Sequence, residues 1–169
     1  MKKDKKRKAA LAVRAKTESF AFQIKWEAKK FFTELTPEVE MRLMFEASVF
    51  LKMGITDSLL RLRDTISDIR TILKIDLANA DTPLSTSLIA YVFGIVPENP
   101  LLCDKVFEEK QLTFPNVLVY KHDDETRAKI VDHLKTKGYR MTTYIGQPLL
   151  VLPSFRLDFR RKANEDRQL

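Results

Sequence analysis

Residues 115–152 read PNVLVYKHDDETRAKIVDHLKTKGYRMTTYIGQPLLVL, and this stretch decides the predicted fold. Its apolar run VLVY at 117–120 predicts a buried strand. Three acids at 123–125 then begin a helix, because acids suit the positive end of a helix dipole, and Gly138 ends it. Two more strands are predicted, at 140–145 and 149–152, around a Gly-Gln-Pro turn at 146–148.

The sequence before this stretch predicts mainly helices. Apolar residues recur on one helical stripe from about residue 9 to residue 35. Thr36-Pro37-Glu38 supplies the cap, proline and acid of a second helix start, and Gly54 marks its end. A third helix is predicted from Asp57, a strand at 73–77, a break at 79–83 and a helix at 84–93. Helices followed by a small mixed sheet with packed helices indicate an α+β fold.

Length and charge indicate one globular domain with a basic extension. The chain has 169 residues, of which 44% are apolar, and a formal net charge of +7. Eight of the 30 Lys and Arg residues lie in residues 1–16 against one acid, which leaves 22 basic and 22 acidic residues elsewhere. We therefore expect a disordered basic arm at 1–16, a single domain at 17–155 and a polar, fraying tail at 156–169.

Cysteine, histidine and hydropathy exclude several classes of protein. The single cysteine, Cys103, excludes an internal disulfide and a multi-cysteine metal centre. Two histidines, His122 and His133, are too few to indicate zinc. The basic N-terminus lacks the apolar run of a secretory signal, and no stretch approaches the roughly 20 apolar residues of a membrane span. We expect a cytoplasmic protein with no membrane partner.

Two aromatic residues lie away from the apolar stripe of the first helix. Phe22 and Trp26 are four residues apart, so they stack on the opposite side of that helix, flanked by Lys25 and Lys29. Either another part of the same domain covers this pair, or a protein or nucleic-acid partner does. Large rigid rings are well suited to anchor an interface.

Three sequence blocks resemble the palm of bacterial replicative DNA polymerases of the C family, the family of the DNA polymerase III alpha subunit. RLMFEASVFLKMGITDSLLRLRDTI at 42–66 is similar to the helical segment that leads into the palm. STSLIAYVFGIVPENPLL at 85–102 is similar to a second block of that family, and residues 101–115 keep its spacing up to a Phe-Pro pair. The blocks occur in family order and cover roughly residues 38–134.

The resemblance implies a nucleotidyltransferase-like palm, in which two strand carboxylates hold paired Mg²⁺ ions about 4 Å apart. The family motif Pro-Asp-x-Asp-x-Asp corresponds to PNVLVY at 115–120. The positions that match its two metal ligands are Leu118 and Tyr120. Leucine has no donor atom, and a phenol with a pKa near about 10 stays protonated at neutral pH. We therefore expect no bound metal at these positions.

The family's phosphate-binding Gly-Arg-Gly-Ser turn is also altered. Its counterpart here is ADTP at 80–83, where Pro83 lacks an amide and Asp81 would repel phosphate. Ser87 is the residual hydroxyl of this region. A serine in the first turn of a helix either caps that helix or retains a role at the phosphate site.

Other chemically capable residues leave two alternatives open. Asp123 and Asp124 either serve the dipole of the following helix or, after a register slip, approach the end of the strand as substitute carboxylates. Cys103 is either a buried structural cysteine or forms a nucleophile pair with His133 or His122, which requires that the fold bring them together. His133 lies beside the apolar face of its helix, where we expect it to pack.

These observations support several functional hypotheses. The first is a non-catalytic relative of the polymerase palm, a pseudoenzyme without cofactor, which acts as a DNA-binding domain or in DNA replication. In the second, the arm is a nucleic-acid contact rather than a solubilising tail, through Lys2, Lys3, Lys5, Lys6, Arg7 and Lys8. The third is a protein-interaction or self-association module that uses Phe22 and Trp26. The fourth is an active polymerase or nucleotidyltransferase fragment with Mg²⁺ and unaligned carboxylates.

Overall fold

A computed structural model describes residues 1–77, 79–113 and 115–162. Over these ranges the chain forms five α-helices: α1 Lys2–Ala28, α2 Pro37–Met53, α3 Thr56–Leu73, α4 Leu88–Val92 and α5 Asp124–Thr136. It also forms five strands: β1 Asn79–Asp81, β2 Asn116–His122, β3 Met141–Tyr144, β4 Gln147–Leu152 and β5 Phe155–Arg161. The predicted α+β class, with N-terminal helices before a small mixed sheet, is confirmed.

The five strands form one mixed sheet in the order β1-β2-β5-β4-β3. β5 runs parallel to β2 and antiparallel to β4, whereas β1 with β2 and β3 with β4 form antiparallel pairs. The chain leaves β2 through α5, returns through the β3–β4 hairpin, and inserts β5 between β2 and β4. The last strand of the described chain is therefore the central strand of the sheet.

Helices cover one face of this sheet and form a second packed layer beside it. α3 and α5 contact each other, and they contact β4 and β5. The second layer consists of the C-terminal part of α1 packed with α2 and α4. Apolar side chains from both layers and from the covered sheet face join one continuous core, including Phe20, Ile24, Leu43, Phe50, Leu62, Ile66, Leu88, Leu118, Ile130, Leu150 and Leu157.

The predicted boundaries of the second helix are confirmed by its caps. Thr36 has extended backbone angles, and its side chain accepts a hydrogen bond from Val39 N at 3.3 Å. Gly54 ends α2 with a φ of 71°, a left-handed conformation that glycine adopts without steric cost. These signals succeed because each depends on residues only a few positions away.

The predicted C-terminal tail at 156–169 is wrong over its first half. Residues Phe155–Arg161 form the central strand, and Phe155, Leu157 and Phe159 are fully buried on its covered face. The basic residues of this segment suggested a solvated tail, but every second residue is apolar, which is the pattern of a half-buried strand. The remainder of the predicted tail, 163–169, lies outside the described residues.

Two N-terminal predictions also need correction. The arm at 1–16 is not disordered, because α1 begins at Lys2 and continues without interruption to Ala28. Lysine, arginine and alanine are good helix formers, so the charge run that indicated disorder also favours helix. The same helix ends at Ala28, earlier than the predicted residue 35.

The strand predicted at 73–77 is absent, and the nearby strand lies in the predicted break. α3 continues to Leu73, and residues 74–77 have no ladder partner. β1 forms instead at Asn79–Asp81, where it pairs with β2 at the edge of the sheet. Alternating side chains predict an extended chain, but pairing depends on which segment lies beside β2, and that is set by tertiary structure.

Candidate functional site

The two positions that the resemblance matches to metal ligands lie in the hydrophobic core. Leu118 and Tyr120 are fully buried on the sheet face that α3 and α5 cover, beside Leu157 and Phe159 of β5. The Tyr120 and Phe159 rings stack with centroids 5.8 Å apart. Burial raises the pKa of the Tyr120 phenol well above its ordinary value, so it stays protonated. These two side chains do not fit a divalent cation.

The opposite face of the sheet opens onto a cavity of about 660 Å³. Val117 and Val119 of β2 line it, together with Asp158 of β5, which is only 2% exposed. Arg160 Nε donates to Asp158 Oδ2 at 2.9 Å, while Asp158 Oδ1 has no hydrogen-bond partner among the described residues. A paired-ion centre of the polymerase type needs at least two carboxylates, and Asp158 supplies one.

No group of three or more His, Cys, Asp or Glu side chains within residues 1–77, 79–113 and 115–162 is arranged to hold a metal ion. Asp123 accepts a hydrogen bond from Thr126 N at 2.7 Å, which caps α5 and lowers the pKa of the Asp123 carboxyl. Asp124 pairs with Arg127 at 3.2 Å and with Arg161 at 2.8 Å. Both acids therefore have structural partners, and neither lines the open-face cavity.

Ser87 belongs to a buried polar cluster that holds α4. Its hydroxyl accepts a hydrogen bond from Ala90 N at 3.0 Å, which caps α4, and donates to Glu46 Oε1 at 2.6 Å. Both residues are completely buried. Of the two roles left open by the sequence, Ser87 has the capping role.

Glu46 is the residue of this cluster that sequence reasoning missed. Its carboxylate also accepts hydrogen bonds from Leu88 N at 2.9 Å, Ile89 N at 3.3 Å and Arg42 Nε at 2.7 Å. Burial raises the pKa of Glu46, although these hydrogen bonds act in the opposite direction. The available signal was an acid on the same helical stripe as Leu43 and Phe50.

The structure gives Cys103 and the two histidines separate partners. Cys103 is exposed, so the prediction of a buried structural cysteine is wrong, and its thiol lies 3.9 Å from Glu98 Oε2. His133 Nε2 lies 2.8 Å from Asp68 Oδ2, which links α5 to α3, and His122 Nε2 lies 3.4 Å from the Asp76 carbonyl. The proposed Cys–His nucleophile pairs are therefore not assembled.

Asp68 also lines a cleft with a volume of about 820 Å³. Its walls carry both signs of charge. Arg61, Lys137 and Arg140 supply cations, and Asp64 joins Asp68 as an acid. This mixture does not select one class of ligand.

The basic N-terminal segment makes no side-chain hydrogen bond to another described element before Lys16. Every residue from 1 to 19 is exposed, although all but the first are helical. Lys2, Lys3, Lys5, Lys6, Arg7 and Lys8 occupy the first two turns of α1. The first hydrogen bond from α1 to another element joins Lys16 Nζ to Asp57 Oδ2 at 2.8 Å. Residues 2–19 thus form a charged helical rod about 27 Å long.

Phe22 and Trp26 are exposed at the base of this rod. Their side chains remain 66% and 59% exposed, so another part of the described chain does not cover them. The rings stack with centroids 6.2 Å apart and an interplanar angle of 25°. A recess of about 280 Å³ lies beside them, bounded by Gln23, Glu27 and Arg63.

Comparison with known proteins leaves the family open. No protein-family model matches the sequence, and no curated protein is significantly similar to it. The resemblance to C-family polymerases therefore stays a hypothesis that depends on the three sequence blocks. Among the described helices, none combines the length and apolar character needed to cross a membrane.

Proposed function

We propose that this protein is a nucleic-acid-binding domain with a palm-like frame and without polymerase chemistry. The observation that carries the proposal is the free basic rod of α1. Eight cations lie within residues 1–16 against one acid, and all of these residues are exposed. A rod with this charge attracts a polyanion and releases its counterions on binding.

Phosphate contacts of this kind do not read sequence. The six cations of the first two turns are five lysines and one arginine. The side chains of Lys2, Lys3 and Lys5 make no hydrogen bond or ion pair within the described chain. They are available to phosphate oxygens without breaking internal contacts. Binding is therefore expected to be salt-dependent and sequence-indifferent.

Polymerase chemistry is left out of the proposal because the side chains at the matched positions cannot bind Mg²⁺. Leucine and a protonated tyrosine occupy the two positions that would hold Mg²⁺, and they face the core. The open-face cavity contributes Asp158, already paired with Arg160. A frame of this kind can position a nucleic acid without reacting on it.

The test compares two variants with equal loss of charge. In the arm variant, Lys2, Lys3, Lys5, Lys6, Arg7 and Lys8 become Gln, which preserves helix propensity. In the control variant, six exposed lysines of the body become Gln: Lys52, Lys110, Lys121, Lys129, Lys135 and Lys137. Fluorescence anisotropy with labelled DNA should show at least a ten-fold weaker affinity for the arm variant and a smaller loss for the control. Equal affinity of the arm variant and the wild type would contradict the proposal.

A separate assay tests the absence of catalysis. Purified protein is incubated with primed template, deoxynucleotides and Mg²⁺ or Mn²⁺, and no primer extension is expected. Template-dependent extension that disappears in Asp123→Asn or Asp124→Asn would instead support an active fragment that uses unaligned carboxylates.

A further inference from the structure

Phe22 and Trp26 share a helix face with part of the basic rod. With 3.6 residues per turn, Lys8 and Lys29 lie within about 40° of the mean direction of the ring pair. Lys5 and Arg7 lie within about 80°. Lys25 lies at a similar angle, but its ammonium pairs with Glu40 Oε1 at 3.4 Å. The face therefore carries cations on both sides of an exposed aromatic pair.

The acids near this face are neutralised by neighbours. Glu18 accepts from Arg14 Nε at 3.0 Å, and Asp4 lies 3.7 Å from the N-terminal amine. Between the cations and the rings, Leu11 is exposed, so this side of the helix also offers apolar contact. The face therefore carries a net positive charge. Such a face binds an anionic partner better than a protein surface that has few acidic residues.

The geometry of the aromatic pair indicates which kind of nucleic acid would bind. The two rings are nearly parallel and both residues are more than half exposed, so much of the aromatic surface is accessible to a ligand. Bases in a duplex already stack on each other and do not expose their faces, whereas the bases of a single strand do. Proteins that bind single strands combine aromatic platforms with a positive track for the backbone.

We infer that α1 binds single-stranded nucleic acid, with bases stacked on Phe22 and Trp26 and the backbone running along the cations toward Lys8. This inference rests on the proposed function and adds the strand preference. The recess between the ring pair and Arg63 lies beside the platform, where a base that stacks on Trp26 is near a guanidinium. Arg63 donates to Gln23 and Asp64, which holds the group in place.

The chain provides its own reporter, because Trp26 is its only tryptophan. Titration with a thymidine oligomer of about 15 nucleotides, the upper end of common site sizes, should quench Trp26 emission. A duplex with the same number of phosphates should bind at least five-fold more weakly and leave the emission unchanged. Affinities are measured by anisotropy at one fixed salt concentration.

The variants separate stacking from charge. Phe22→Ala with Trp26→Ala should weaken single-strand binding at least ten-fold and leave duplex binding within two-fold of wild type. Trp26→Phe, which retains a flat ring, should keep most of the single-strand affinity. The control is Phe45→Ala, which removes an aromatic side chain that is 55% exposed on α2, outside the basic face. It should leave both affinities unchanged.

Three results would overturn the inference. If the double alanine variant binds the single strand as the wild type does, the rings are not a stacking platform. If the wild type binds both nucleic acids equally and without quenching, the strand preference is absent while the proposed function stands. If sedimentation shows that the wild type dimerises and the double variant does not, the pair is a protein interface. Loss of all nucleic-acid binding would refute the proposed function itself.

Discussion

Tyr120 places a phenol in a core that offers its hydroxyl no hydrogen bond among the described residues. Its ring packs well, since it stacks on Phe159, but a buried hydroxyl without a partner costs free energy. The surroundings of residue 120 therefore suit an apolar side chain, and the tyrosine hydroxyl lowers the free energy of unfolding.

Substitutions at Leu118 and Tyr120 should change the free energy of unfolding according to whether they add or remove an unpaired polar group. Tyr120→Phe removes the unpaired hydroxyl and should raise the free energy of unfolding by about 1 kcal/mol. Leu118→Asp buries an unpaired carboxylate and should lower it by about 4 kcal/mol or more. Urea denaturation followed by circular dichroism measures both. A folded Leu118→Asp protein that gains Mn²⁺ binding would show that this side of the sheet can form a metal site.

At the level of elements, Glu46 joins α2 to α4 through a charge that is completely buried. It accepts hydrogen bonds from Ser87 Oγ and two backbone amides of α4, while Arg42 supplies the positive charge. Arg42 also donates to the carbonyls of Thr86 and Lys105, so the pair organises the loops around α4 as well. Such a short helix depends on these contacts because five residues do not form a stable helix alone.

Two variants test this junction. Glu46→Ala leaves Arg42 and the α4 amides without their partner, and should lower the free energy of unfolding by about 3 kcal/mol or more. Because burial raises the pKa of Glu46 above its ordinary value of 4.5, the folded protein keeps this proton to higher pH than the unfolded chain. The part of its contribution that comes from this pKa shift is thus present below pH 4.5 and is lost as pH rises through the folded-state pKa, whereas the hydrogen bonds from Arg42 and the α4 amides remain.

The pH dependence distinguishes the charge from the packing. Glu46→Gln cannot ionise, so the stability of the wild type relative to this variant should decrease as pH rises above 4.5. Glu38→Gln, on the exposed side of the same helix, is the control. Urea midpoints measured across this pH range check the expectation, and parallel pH profiles of wild type and Glu46→Gln would contradict it.

Elements with local signals were predictable from sequence, and elements that depend on distant partners were not. The caps at Thr36 and Gly54 and the strand at 117–120 were evident because a few adjacent residues encode each one. β5 was missed because its charges hid the alternation of Phe155, Leu157 and Phe159. The cluster around Glu46 depends on a contact to Ser87, 41 residues away, which no local pattern reveals.

The whole molecule depends on β5, because the last described strand lies between β2 and β4. A chain that ends at residue 154 lacks this strand. The backbone edges of β2 and β4 that pair with β5 are then left without a partner, so the chain should fail to fold. A chain that ends at residue 162 retains β5 and should unfold cooperatively, as is expected of the full chain. Thermal melts by circular dichroism compare them, and a cooperative melt of the 154-residue chain would refute this assignment of β5.

The candidate interface was only partly predictable at this scale. The sequence located the cations and the pair of Phe22 and Trp26, since both follow from composition and helical spacing. The sequence did not show that the arm is helical or that the rings stay uncovered. Both depend on how α1 packs against the rest of the chain. The burial of Leu118 and Tyr120 against helices likewise depends on how the sheet is covered.

The salt dependence of DNA binding tests the central claim most directly. If the rod of α1 contacts phosphates through its six N-terminal cations, a plot of log Kobs against log salt concentration should have a slope of about −5 for duplex DNA. The arm variant with glutamine at these six positions should show a slope close to zero. A wild-type slope near zero, or an equally steep slope in the arm variant, would contradict the account of α1 as a nucleic-acid-binding element.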